Sequence, residues 1–259
     1  MVTNSEFKLR TVQGWRTGLN NLLSAEFGRW GTKDWYIMMA IWLAIINGSL
    51  LGVLSGTDDI TSALMILGLL AGMFPVINVV IVLQDVIIGE KETGTAAWIL
   101  SKPVSRSSYI LSKLIGNLVG VAVSLALVPG IAVYATIYVM RGVLLPPGPF
   151  FAAIAILALT LTFYLTMTLM LGTIFDSRGG VVGIPMLLGP GYSLMYTLPF
   201  ISEFHPMAMF FPSGNTSISF FGAIALGKPV GSLTPFLTTI FGIILFTIIA
   251  LWRFNREEL

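Results

Sequence analysis

The sequence predicts an all-α integral membrane protein with six membrane-spanning helices, in a single domain over residues 1–259. Hydrophobic residues make up 56% of the chain and charged residues 10%, and the mean hydropathy is +0.90. A soluble domain carries about a quarter of charged residues. Six apolar segments each reach the length of ~20 residues that a helix needs to cross the hydrocarbon layer. These segments are 35–54, 63–83, 114–140, 150–175, 181–201 and 233–252.

Charge and cysteine content exclude several functional classes. The net charge of +2 gives no sign of nucleic acid as a partner, and the absence of cysteine excludes disulfides, thiol catalysis and thiolate metal sites. None of the six segments contains Asp, Glu, Lys, Arg or His. Ion-coupled carriers and intramembrane enzymes keep such groups within the membrane. We therefore expect neither a proton-driven carrier nor an enzyme, and no metal site.

The first element in chain order is an amphipathic helix predicted over residues 5–30. Its apolar residues fall on one face at helical spacing, which is typical of a helix lying in the membrane interface. Glu26 falls inside this apolar face. Two alternatives stay open for its carboxylate, namely a local ion pair with Arg29 or a contact with a partner subunit.

The distribution of basic residues predicts the orientation of the chain in the membrane. Six spans place both termini on one side of the membrane. All of the 14 Lys and Arg residues except Arg141 and Lys228 lie in the two termini, in residues 84–113 or in the 176–180 loop. Because cytoplasmic loops are enriched in Lys and Arg, we expect both termini and residues 84–113 to be cytoplasmic in a multi-pass plasma membrane protein.

Two stretches of the second half of the chain depart from simple spanning helices. The fifth segment contains Pro185, Pro190 and Pro199 together with several glycines, which predicts a kinked or broken helix. The outer stretch 202–232 contains M-A-M-F-F and I-S-F-F-G-A-I-A-L, runs that are too apolar for a free loop and too short to span. These runs predict a re-entrant or interfacial hairpin.

We call residues 84–113 the elbow, because this stretch mixes charges of both signs with turn residues between two apolar segments. Gly94 is placed to end the preceding helix with a left-handed backbone. A short helix is predicted from Thr95 to Leu100. The chain is then extended before Pro103, and Ser105 is a predicted N-cap for the next helix.

The order of residues in the elbow resembles the first cytoplasmic loop of type-2 ABC exporter permeases, which work with a separate ATPase. The pattern is E-K-E-T-G-T, four residues, L-S-K-P-V-S-R and, after six more residues, a lysine. This resemblance implies two ATPase subunits that bind ATP and Mg²⁺, a second permease copy and a prokaryotic cell. It assigns ATPase coupling to Glu90, Lys91, Glu92, Gly94, Thr95, Lys102, Pro103, Ser105, Arg106 and Lys113.

The chain itself shows no nucleotide site or other cofactor site. Gly222, Gly227 and Lys228 match the front of a phosphate-binding loop, but Pro229 stands where Ser or Thr should bind magnesium. ATP must therefore be handled by another chain. His205 is the only histidine, and we expect it to have no special role.

The function that the sequence favours is the transmembrane subunit of an ATP-driven exporter. Because the spans lack charge, amphiphilic or apolar cargo is favoured over small ions. Candidate residues lining the pathway are Asn47, Asn78, Tyr192 and Tyr196. The alternative is a membrane scaffold or sensor that binds a partner without transporting anything.

Overall fold

A computed structural model describes residues 14–56, 59–195, 198, 203–212 and 218–257. Of these described residues, 81% are helical. The helices are α1 (Leu19–Trp30), α2 (Lys33–Gly56), α3 (Ile60–Glu92), α4 (Thr95–Leu100), α5 (Arg106–Arg141), α6 (Pro147–Ile174), α7 (Arg178–Leu188), α8 (Tyr192–Met195), α9 (Phe220–Ala225) and α10 (Thr234–Asn255), with a 3-10 turn at Pro206–Met209.

Five helices in the described residues are long and apolar enough to cross a membrane. They are α2, α3, α5, α6 and α10, which have 24, 33, 36, 28 and 22 residues. Each overlaps one of the predicted segments. A π-helical segment interrupts α3 at Asp85–Gly89 and α5 at Ala122–Leu127. Pro129 follows the second of these segments, and its ring crowds the carbonyl of Leu125, so that the wider π turn makes room for it.

The helix α6 lies at the centre of the bundle, and α3, α5, α9 and α10 pack around it. Small residues set the closest approaches. A Cβ at Gly242 of α10 would lie 2.5 Å from the ring of Phe163 on α6, so these two helices meet where only glycine fits. Dispersion and close packing, rather than exclusion of water, hold such contacts inside a bilayer.

The predicted fifth span is not a continuous helix. Its residues form α7, which ends at Leu188, a turn at Gly189–Gly191, and the single turn α8. The 11 residues of α7 cover only about 16 Å, about half of the hydrocarbon thickness. The break follows the predicted kink, whereas six continuous spans are not confirmed.

The outer stretch packs into the bundle. Its described residues form the 3-10 turn, an isolated β-bridge between Pro212 and Ser219, and α9. Phe210 and Phe221 are fully buried against Gly72 and Gly68 of α3, where a Cβ would lie 2.9 and 3.1 Å from their rings. The apolar runs of this stretch are therefore core residues.

The two ends of the bundle are marked by side-chain contacts. The ends of α3, α6 and α10 meet the elbow, since Lys91 lies near Asp176 and Glu257. At the other end, Gly227 lies beside Pro149 near the start of α6. We call these the elbow end and the far end.

Candidate functional site

The backbone of the elbow has the local structure that its turn residues predict. Gly94 adopts a left-handed conformation with φ of 70°, and its N–H donates to the carbonyl of Lys91 at 3.0 Å. The helix α4 then covers Thr95–Leu100. Ser105 is the N-cap of α5, because its Oγ accepts the N–H of Ser108 at 3.0 Å.

Behind α4 lies a buried ion-pair network centred on Lys113, which is only 3% exposed. Its Nζ is paired with Glu26 of α1 at 2.6 Å and with Glu90 of α3. Tyr109 donates its hydroxyl to Glu90 at 2.6 Å. The network joins α1, α3 and α5, and it neutralises carboxylates that would be costly to bury alone.

Glu26 makes one of the two contacts that the sequence left open. Its carboxylate is 3.3 Å from Arg29, which confirms the local pair, but its shorter contact is with Lys113. The sequence reasoning missed this partner. The only signal was the position of an acidic residue inside an apolar face.

The helix α1 lies in a groove on α5 formed by Gly116 and Gly120. A Cβ at Gly116 would lie 2.5 Å from Cβ of Glu26, and a Cβ at Gly120 would lie 1.9 Å from the ring of Trp30. The Gly116-x3-Gly120 pair is therefore a helix contact that needs both glycines.

The residues before α1 are tied to the elbow. The carbonyl of Trp15 accepts hydrogen bonds from the hydroxyls of Ser105 and Ser108 at 2.6 and 2.7 Å. The N–H of Ser105 donates to the carbonyl of Thr17 at 3.1 Å. The N-cap of α5 thus also holds the start of the chain's first described segment.

The C-terminal end of α10 is held by two basic residues of the elbow. Arg106 donates to the carbonyls of Phe254 at 3.3 Å, Asn255 at 3.4 Å and Glu257. Lys91 lies 2.5 Å from the Glu257 carboxylate. A guanidinium here satisfies carbonyls that a helix end leaves without partners and complements the helix dipole. In this structure Arg106 therefore binds the chain's own C-terminal residues.

The loop between α6 and α7 also meets the elbow. Arg178 pairs with Glu92 at 2.9 Å and with Asp85 at 3.2 Å. The side chains of Arg178 and Glu92 are about half exposed, so these pairs contribute little stability. They do place Glu92 beside the start of the broken segment.

The helix α4 projects one large exposed side chain. Trp98 is 64% exposed, and the ammonium of Lys102 lies 4.9 Å from its ring centroid. Ala96, on the other side of α4, is fully buried. Sequence reasoning did not single out Trp98, although an aromatic residue in a short loop helix is a signal for a binding surface.

The ten predicted coupling residues fall into two groups. The exposed ones are Glu92, Gly94, Thr95, Lys102 and Pro103. The partly or fully buried ones are Glu90, Lys91, Ser105, Arg106 and Lys113. The first group surrounds α4, and the second connects α4 to α1, α5 and α10.

The predicted lining residues do not form one cluster. Asn47 joins α2 to α5, since its Oδ1 accepts the hydroxyl of Thr136 at 3.0 Å. Asn78 is buried within α3. Tyr192 is fully buried and stacks on His205, with ring centroids 4.8 Å apart. Tyr196 lies outside the described residues.

The chain matches a model of a protein family. A family model described as "ABC-2 family transporter protein" matches residues 46–259, which begin within α2 and include the whole elbow. No curated protein matches the chain.

Proposed function

The chain belongs to the ABC-2 transporter family and is a membrane subunit of an ABC transporter; on that premise, we propose that a separate ATPase drives it by binding α4. The observation that carries this proposal is the position of Trp98, which is exposed on α4 while its neighbours connect to the rest of the bundle. An aromatic anchor that enters a partner pocket is the usual centre of a protein interface.

The contacts behind α4 connect it to the long helices, so that a movement of α4 would also move them. The end of α3 joins α4 to the Lys113 network, and Arg106 and Lys91 join the same region to the end of α10. A displacement of α4 on ATP binding would therefore tilt α1, α3, α5 and α10 together. The ATP and Mg²⁺ belong to the ATPase partner.

We also propose six membrane crossings. The chain leaves the elbow end at Arg178, which pairs with Glu92, and it returns there at Asn255 through α10. Because α10 is 22 residues long, its start lies about 33 Å away, at the far end. The segment between Arg178 and Thr234 must then cross once, which is the task of the broken helix α7 and the residues after it.

The elbow end is proposed to face the cytoplasm. Among the described residues, Arg29, Lys113, Arg106 and Arg178 lie at this end, whereas Arg141 and Lys228 do not. The positive-inside rule then fixes the orientation. The resemblance noted above supports a prokaryotic plasma membrane and a pair of permease subunits, each with one ATPase.

Export of amphiphilic or apolar cargo is the proposed activity. The six apolar segments contain no charged residue that could pair with a charged solute. A charged solute passing such segments would leave its charge unpaired at a cost of several kcal/mol. An amphiphile can enter sideways from the bilayer and avoids this cost.

The experiment is to purify the permease with its candidate ATPase and to measure their affinity and the stimulated ATP hydrolysis. Trp98→Ala should weaken the complex by roughly 30-fold, because losing an aromatic anchor costs about 2 kcal/mol or more. Cargo is tested in the same preparation by comparing stimulation by amphiphiles with stimulation by sugars and small ions.

Trp252→Ala is the matched control. Trp252 is 54% exposed on α10, and the guanidinium of Arg256 lies 4.5 Å from its ring centroid. Like Trp98, it is therefore an exposed tryptophan with a cation beside its ring. We expect this variant to bind and stimulate the ATPase as the wild type does. Equal affinities for all three proteins would refute α4 as the docking element. Binding without hydrolysis under any condition would favour the scaffold or sensor.

A further inference from the structure

The segment 204–211 packs inside the helix bundle, and His205 is one of its main contacts. This residue is 8% exposed and lies outside the five long helices. Its ring stacks on Tyr192 of α8 with an interplanar angle of 14°, and the ring centroid of Tyr164 on α6 lies 6.4 Å away. His205 thus joins the outer segment to the broken segment and to the central helix.

The hydrogen bonds of the imidazole fix its tautomer. The Nδ1 atom accepts the backbone N–H of Met207 at 3.2 Å and so caps the 3-10 turn Pro206–Met209. An Nδ1 that accepts a hydrogen bond carries no proton, so the proton of the neutral ring is on Nε2. Within the described residues, Nε2 has no hydrogen-bond partner, and neither has the hydroxyl of Tyr164.

The contacts that the described residues show for the rest of the segment are uncharged. The carbonyl of Phe204 accepts the hydroxyl of Thr238 on α10 at 2.7 Å, Phe211 packs edge-on against Tyr192, and Phe210 fills the space beside Gly72 of α3. None of the ion pairs in the described part of the chain reaches this segment. Glu203, the acidic residue nearest in sequence, is exposed.

We propose that His205 is a proton-operated latch, in which uptake of one proton by the imidazole releases the segment 204–211 from Tyr192 and α6. The incoming proton binds Nδ1, which can then no longer accept the hydrogen bond from Met207. The new Nδ1–H and the N–H of Met207 are both donors and point at each other. Proton uptake also leaves an imidazolium between Tyr164 and Tyr192, with no carboxylate among its described contacts. Both effects disfavour the closed segment and leave the open segment unaffected.

The direction of the pH dependence follows from burial. Burial lowers the pKa of His205 from 6.5 to about 4 in the closed state, whereas an opened, hydrated imidazole titrates near its ordinary value of about 6.5. The closed state is therefore fully favoured above about pH 6.5, loses stability as the pH falls towards about 4, and changes no further below that. Between about pH 7.5 and pH 5, the ratio of open to closed segment rises about 30-fold.

Because the chain contains no cysteine, this ratio can be measured by labelling single cysteines in the purified permease. Met207→Cys places a thiol at a fully buried position, and Ser232→Cys places one at an exposed position at the far end. At each pH, the maleimide labelling rate of the first variant is divided by the rate of the second. This quotient no longer contains the intrinsic pH dependence of thiol reactivity. We expect the quotient to rise about 30-fold between about pH 7.5 and pH 5.

His205→Asn in the Met207→Cys background is the control. Asparagine is a good N-cap and can accept the same N–H, but it does not titrate, so the quotient should stay constant. Hydrogen exchange of residues 203–212 in the unmodified chain, corrected for the intrinsic rate, should show the same rise without any substitution.

The latch is refuted if both measurements on chains that keep His205 change by less than about twofold, or if His205→Asn gives the same rise. Neither ATPase nor cargo is needed for these measurements. Their outcome is therefore independent of the proposed transport function.

Discussion

Replacing Lys113 by methionine removes the cation that lies between Glu26 and Glu90. Lys113 and Glu26 have side chains only 4% and 6% exposed, and the side chain of Glu90 is 19% exposed. In the variant two buried carboxylates face each other, and only Arg29, 3.3 Å from Glu26, remains to balance them. Removing one partner of a buried ion pair costs about 3–5 kcal/mol, because the remaining charge stays desolvated.

This cost can be measured as a shift in thermal unfolding of the purified permease. With about 2–4 °C per kcal/mol for a domain of this size, Lys113→Met should lower Tm by roughly 6–20 °C. The loss should be accompanied by release of α1, because Lys113 is the group that joins Glu26 to the rest of the bundle. Limited proteolysis before Lys33 reports that release.

A second substitution separates charge from packing. Adding Glu90→Gln to Lys113→Met removes one carboxylate charge while the amide oxygen can still accept the hydroxyl of Tyr109, so at least half of the lost Tm should return. Lys102→Met, at an exposed lysine, should shift Tm by less than about 2 °C. A Tm for Lys113→Met within about 2 °C of the wild type, or no recovery in the double variant, would refute the reasoning.

Three further predictions concern packing, topology and the C-terminal contact. Gly120→Ala should lower the free energy of unfolding by about 1–3 kcal/mol because the added methyl group would overlap the Trp30 ring. Gly52 faces open space, so Gly52→Ala should change the free energy of unfolding by less than about 1 kcal/mol. A comparison of Tm values checks this, and equal losses would contradict it. Single cysteines from Ser101→Cys and Ser232→Cys should react with an impermeant reagent from opposite sides of the membrane, and reaction of both from outside would overturn the orientation. Arg106→Gln should expose the residues after α10 to carboxypeptidase, and unchanged digestion would show that the carbonyl contacts do not hold them.

The sequence predicts the positions of five long helices because a bilayer imposes a length of about 20 apolar residues on each. The predicted segment 35–54 lies within α2, and 150–175 differs from α6 by only a few residues. The bounds of α4 are equally predictable, since Gly94 and Ser105 act through their own backbone and side-chain chemistry. These features depend on local sequence or on the solvent alone.

The remaining features depend on partners that are distant in the chain. Lys113 and Glu26 are 87 residues apart, so no local pattern indicates their pairing. Tyr192 looks like a polar lining residue when it is considered alone, but in the fold it covers His205. A hydropathy profile reports how apolar a segment is, but not whether its helix is continuous. The segment 181–201 therefore looks like one span, although its helix ends at Leu188.

The π-helical segment of α5 keeps a row of exposed apolar side chains on one side of the helix. An α-helix overshoots a full turn by about 40° at every fourth residue, whereas the wider π turn rotates less per residue. The exposed apolar side chains of α5 recur at every fourth position through the π segment, at Ile115, Val119, Val123, Leu127 and Ile131. The π segment thus offsets the drift, and the row stays on one side.

The same register holds α1 in place. If Ala122–Leu127 had regular α geometry with the same number of residues, the first half of α5 would be turned by about 100° relative to the second half. The groove at Gly116 and Gly120 would then face away from Glu26 and Trp30, which now fill it. The smaller rotation per residue in the π segment therefore keeps the exposed row on one side of α5 while the groove at Gly116 and Gly120 still holds α1.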